Sequence, residues 1–108
     1  MKEIIFFKYN GKSPFIEWFL ELDRITASRV RTAINRLAAG NFGDCKFITA
    51  DLKEMRLFFG GGYRIYFTER NGKIIIILCA GDKKSQSKDI TKAKKYLALL
   101  GASYDQTK

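Results

Sequence analysis

The stretch Leu52-Lys-Glu-Met-Arg56-Leu-Phe-Phe-Gly60-Gly-Gly-Tyr-Arg64-Ile-Tyr-Phe67 reads as one β-hairpin, two arms of alternating side chains around three glycines. Alternation puts Glu54, Arg56 and Phe58 on one side of the first arm and Met55, Leu57 and Phe59 on the other. On the second arm Arg64 and Tyr66 oppose Tyr63, Ile65 and Phe67. A turn centred near Gly60 or Gly61 makes Arg56 and Arg64 direct or diagonal cross-strand neighbours, which like-charge repulsion disfavours. At an effective dielectric of about 20 and a separation of about 5 Å, that repulsion is on the order of 3 kcal/mol before salt screening. The expectation is that an anion from outside the fold offsets it.

Working outward, Lys2 to Tyr9 reads as an opening strand closed by the turn signal Asn10-Gly11. Ser13-Pro14 supplies an N-cap and a first-turn proline, and Phe15, Trp18, Phe19 and Leu22 recur at the spacing of one buried helical face. A second helix is predicted from Arg24 to Ala39, with Ala27, Val30, Ile34 and Leu37 inward and Gly40 as its terminal cap. Arg29 and Arg36 border its apolar stripe on one side, Arg24 and Arg31 on the other. Asn41 to Asp44 reads as a loop leading to a short extended piece at Cys45 to Ile48. Beyond the hairpin, Asn71-Gly72 precedes Lys73 to Ala80, whose run Ile74-Ile-Ile-Ile-Leu78 has no polar alternation and so belongs to a strand covered on both faces. A last helix is predicted from Lys88 to Leu100, with Ile90, Ala93, Leu97 and Leu100 inward, ended by Gly101. The order β, α, α, β, β, β, α describes a single α+β domain over residues 1–108, a mostly antiparallel sheet packed against helices.

With 108 residues, 46% hydrophobic and 14% aromatic, the chain holds one core, and its excess charge belongs to a folded surface. Twenty Lys and Arg against eleven Asp and Glu give +9, which favours a polyanionic partner or, as the plain alternative, a solvated basic surface. No run is long enough for a secretory segment or a membrane span, so a cytoplasmic protein with no membrane partner is expected. Cys45 and Cys79 lack metal-ligand spacing and there is no His, so no metal and no cofactor is expected; both cysteines read as reduced packing residues.

The ordered set Leu-Lys-Glu-Met-Arg, Gly-Gly-Tyr-Arg-Ile-Tyr-Phe, Ile-Ile-Ile-Leu-Cys-Ala-Gly-Asp-Lys-Lys-Ser-Gln and Asp-Ile-Thr-Lys-Ala resembles the RelE/ParE toxin superfamily, in particular its HigB-like addiction module killer branch. The resemblance covers nearly the whole chain. It implies a small RelE-like domain, the toxin of a type II toxin–antitoxin pair, neutralised by a cognate antitoxin and meeting operator DNA only through it. It further implies a ribosome-dependent mRNA endoribonuclease that inhibits translation, with a ParE-like, non-enzymatic inhibitor of DNA gyrase as the alternative. A plain RNA-binding module is a third reading. Matched residue by residue, the family's tyrosine-arginine pair falls on Tyr63 and Arg64, its basic strand position on Arg56, and its turn on Gly81, Asp82, Lys83 and Lys84. Where some relatives place a tyrosine or histidine after this turn, Ile90 or its neighbours stand here.

RNA scission through the ribose 2′-hydroxyl needs in-line geometry, charge stabilisation on the phosphate and proton transfer. Arg56 and Arg64 are the candidate phosphate clamps, and Lys83 and Lys84 complete the candidate catalytic set, one lysine accepting a proton because neighbouring cations depress its pKa. Glu54 and Tyr66 are second-rank acid–base candidates, and Glu54 is expected to pair with Arg56. Tyr63, Tyr66, Arg29 and Arg36 are candidate RNA contacts, with Phe58 as a further stacking ring. The ribonuclease reading requires Arg56, Arg64 and Lys83 to converge without each being neutralised by a carboxylate of the chain itself.

Overall fold

A computed structural model describes residues 1–107, with side chains through Gly101. Eight elements follow in order: β1 (Glu3–Phe6), α1 (Pro14–Leu20), α2 (Arg24–Ala38), β2 (Asp44–Phe47), β3 (Lys53–Leu57), β4 (Tyr63–Arg70), β5 (Ile74–Gly81) and α3 (Gln86–Thr107). The strands form one sheet in the order β1-β5-β4-β3-β2, antiparallel except for the parallel β1–β5 pair. The α+β architecture expected from the sequence is the one observed.

The local devices explain the boundaries. Asn10-Gly11 and Asn71-Gly72 have positive φ at both residues, +53° and +79° in the first, +56° and +65° in the second. That geometry makes a type I′ turn, which Asn and Gly enter with little strain. The Ser13 hydroxyl accepts the Ile16 N–H at 3.1 Å, with Pro14 at the first helical position. At the far end of α2, Gly40 adopts φ +89°, and the N–H groups of Gly40 and Asn41 satisfy the Leu37 and Arg36 carbonyls.

Helices cover both faces of the apolar β5. On one face α1 and α2 bring Phe15, Val30 and Leu37 onto Met55, Ile65, Phe67, Ile75 and Ile77. On the other, α3 brings Ala93, Ile90 and Leu97 onto Tyr66, Ile76, Leu78 and Cys79. A bulge interrupts the β4–β5 ladder: Tyr66 faces Cys79 but Phe67 faces Ile77, so Leu78 is the extra residue. Leu78 and Cys79 therefore both turn toward α3, and Gly81 ends up on that face.

Two boundaries differ from expectation. The opening strand ends at Phe6, and Tyr9 makes only an isolated bridge to Lys12 across the turn. Gly101 does not end the last helix, which starts two residues earlier than predicted and runs to Thr107. Glycine costs a helix only about 1 kcal/mol relative to alanine, too little to stop one that is extended on both sides. No helix among the described residues is long and apolar enough to cross a membrane.

Candidate nucleic-acid interface

The ladder aligns two polar rows across the α3 side of the sheet. The first reads Asp44, Arg56, Arg64, Gly81; the second, Lys46, Glu54, Tyr66, Cys79. Arg56 and Arg64 are direct cross-strand partners, as the hairpin reading requires. Their repulsion is offset from inside the fold, which corrects the expectation of an outside anion. Arg56 Nε lies 2.9 Å from Asp44 Oδ2, and its Nη2 donates to Oδ1 at 3.3 Å. Arg64 Nε lies 3.6 Å from Glu54 Oε2, while its Nη1 donates to the Gly62 carbonyl at 2.8 Å. Each of the two adjacent arginines thus has a carboxylate of its own chain beside it.

Glu54 is fully buried, and its partner is not the expected Arg56. Its Oε2 accepts from Gln86 Nε2 at 2.9 Å, and Lys46 Nζ approaches Oε1 at 3.7 Å. The physical reason is the strand pleat: Arg56, two residues along the same strand, leans outward to the edge-strand Asp44, while Arg64 leans diagonally inward. Tyr66 lies buried beside this group with no hydrogen-bond partner on its hydroxyl. Burial first, and the Glu54 charge second, push its phenol well above the usual tyrosine value, so it stays protonated.

The lysine turn joins the arginines through glycine. A side chain at Gly62, which has φ +73°, would meet Arg64 Nη1 at 3.6 Å and Lys83 Cβ at 3.7 Å, so Gly62 sits between them. The Lys83 N–H donates to the Gly61 carbonyl at 3.4 Å, tying the two turns together. Lys83 and Lys84 are exposed, and neither is in an ion pair among the described residues. Behind them Asp82 Oδ1 accepts the Ser85 N–H at 3.0 Å at the start of α3. Buried Asp89 takes the space a side chain at Gly81 would need. Burial pushes the nearby Cys79 thiol up to about 12 and raises the Cys45 thiol above its usual value, which favours the protonated form of both.

The structure therefore brings Arg56, Arg64 and Lys83 to one end of the sheet, but two of the three already face a carboxylate of their own chain. The remaining candidates are dispersed. Tyr63 packs against Trp18 and Phe59, with ring centroids 5.9 and 5.5 Å away, and its ring covers Gly60. Tyr66 is enclosed and offers no face to a base. Arg29 and Arg36 lie on α2, across the sheet from Arg64, where they line a groove of about 410 Å³. Phe58 is 78% exposed at the hairpin tip. Sequence reasoning missed Asp44, Lys46 and Gln86. Only the strand register would have revealed the first two, and only an earlier start for α3 the third.

Comparison with known proteins places most of this unit in a described family. Residues 17–99 match the family model "Phage derived protein Gp49-like (DUF891)". A protein of Haemophilus influenzae, described as uncharacterized, is 41% identical over 88 residues, spanning 81% of this chain and 89% of the relative.

Proposed function

This chain belongs to the Gp49-like phage-derived family, and from that premise we propose that it is the toxin of a toxin–antitoxin pair, neutralised by a cognate antitoxin, that cleaves mRNA on the ribosome. The observation that carries the reading is the meeting of Arg64 with the Lys83–Lys84 turn around Gly62. Arg64 is 12% exposed and is held by Glu54 and the Gly62 carbonyl, so the guanidinium is oriented before any phosphate arrives. The lysines add unpaired charge beside it. Arg56 joins by exchanging Asp44 for a phosphate oxygen. Both members of that pair are more than a third exposed, and such pairs contribute about 0–1 kcal/mol.

In this mechanism Arg64 and Arg56 stabilise charge on the scissile phosphate. As the ribose 2′-oxygen bonds to phosphorus and the bond to the 5′-oxygen breaks, water takes the 2′-hydroxyl proton and a lysine ammonium of the turn gives one to the departing 5′-oxygen. The second reading is an inhibitor of a protein target such as DNA gyrase that performs no chemistry. It is favoured by the internal pairing of Arg56 and Arg64, which a binding surface tolerates and a phosphate clamp must undo.

Expression of the wild-type chain, followed by mapping of mRNA ends on ribosomes, separates the two. The nuclease gives codon-proximal cuts that fall about 10²-fold or more in the Lys83→Ala/Lys84→Ala double variant and in Arg64→Lys, which keeps the charge near Glu54 but loses the planar fork. Intact mRNA with accumulating DNA breaks would instead establish gyrase inhibition.

A further inference from the structure

The groove on the α2 side has its own charge and shape, and it meets the α3-side site only at the Asp44–Arg56 pair. We propose that it is the docking site for an acidic, amphipathic helical segment of a partner protein. Its walls carry Arg29 and Arg36 from α2, and it opens at the sheet edge onto the Asp44–Arg56 pair. Asp44 and Arg56 neutralise each other, so the groove's +2 comes from Arg29 and Arg36. Arg29 and Arg36 are both exposed, and among the described residues neither is in an ion pair.

The spacing selects the occupant. Arg29 and Arg36 are seven residues apart on one helix, nearly two turns, so their stems leave the same side about 10 Å apart. A second helix laid along α2 with carboxylates at i and i+7 repeats that distance. Between the cations the floor is apolar, built from Ala33, Met55, Leu57 and Phe59. Leucines at i+3 and i+4 of such a segment would fill that floor.

A nucleic acid fits less well. Its backbone has nothing to bury on the apolar floor. The rings it would stack on already carry guanidinium groups, Arg29 over Phe59 at 5.3 Å and Arg56 over Phe58 at 5.7 Å. With Phe58 78% exposed at the rim, the groove combines a large apolar anchor with flanking cations, the pattern of a protein-docking surface.

The test is fluorescence anisotropy of the full chain with a fluorescein-labelled helical peptide carrying Glu at i and i+7 and Leu at i+3 and i+4. Saturable binding is expected, weakened about tenfold or more by Arg29→Glu or Arg36→Glu, by Phe58→Ala, and by replacing the peptide's Glu with Gln. Lys84→Glu, on the other side of the sheet, leaves it unchanged. Arg29, Arg36 and Phe58 are exposed, so circular dichroism melts should confirm that the variants stay folded. Equal binding by the wild type and both arginine variants would overturn the proposal. So would labelled oligouridylate that loses its affinity in those two variants while the peptide does not.

Discussion

Arg64 carries its counter-charge beneath it, and that arrangement has a consequence for any experiment on the site. Glu54 is fully buried, with Gln86 on one oxygen and Lys46 at 3.7 Å from the other. Removing Arg64 leaves a carboxylate out of water with only half-satisfied surroundings, a change that costs about 3–5 kcal/mol in comparable buried pairs. Arg64→Ala is therefore expected to lower stability by an amount in that range, measured by urea denaturation. Glu54→Gln should restore most of it in the double variant. The double-mutant cycle should show a coupling of about 1 kcal/mol or more; additive effects would mean that the 3.6 Å approach contributes nothing. A loss of the proposed mRNA cleavage in Arg64→Ala alone therefore reports folding as well as chemistry, and the double variant separates the two. Asp44→Asn is the contrasting case: it should change stability less, because both side chains of that pair are more than a third exposed, yet it leaves Arg56 free to meet an anion.

At the scale of elements, a second clasp ties three strands together. Glu69 on β4 receives Lys2 Nζ at 2.7 Å and Lys53 Nζ at 3.2 Å, joining the approach to β1 and the start of β3. The hydrogen bond from Lys2, the largest influence, holds the Glu69 carboxyl below the usual glutamate range. A depressed folded-state pKa means that the stabilisation is complete above the unfolded value of about 4.3 and is lost as pH falls through the lower folded one. Urea midpoints should therefore drop on acidification below about pH 4.3, and Glu69→Gln should flatten that limb while lowering the midpoint at neutral pH. An unchanged acid limb in Glu69→Gln would place the titrating group elsewhere. These elements were largely readable in advance, because Asn-Gly pairs, the Ser13-Pro14 entry and the Ile74–Leu78 run each have a local physical cause. The bulge at Leu78 was not, since it arises from pairing with β4 and leaves no local mark. The partners of Arg56 and Arg64 were hidden for the same reason: both carboxylates come from residues whose proximity depends on register. Gly101 misled because a locally unfavourable residue yields to the helix around it.

Over the whole molecule, the chain carries +9, and exposed cations stand on both faces of the sheet. Among the described residues five cations, Lys2, Lys46, Lys53, Arg56 and Arg64, share three carboxylates, Glu69, Glu54 and Asp44, while the Lys83–Lys84 turn on one side and Arg29 and Arg36 on the other are in no ion pair. The sheet and its two apolar layers separate these groups, so their ligands should respond to salt and mutation independently. For single-stranded RNA, log affinity falls with log salt at about 0.7 per phosphate neutralised. Titration of labelled oligouridylate from about 50 to about 200 mM salt should show Lys83→Ala and Lys84→Ala each lowering the slope by about 0.7. Arg29→Ala and Arg36→Ala should leave it unchanged, because their charge faces the opposite solvent. If an α2 arginine reduced the slope as much as Lys83, the strand would have to wrap around the sheet edge past β2, and the division of labour between the faces would be refuted.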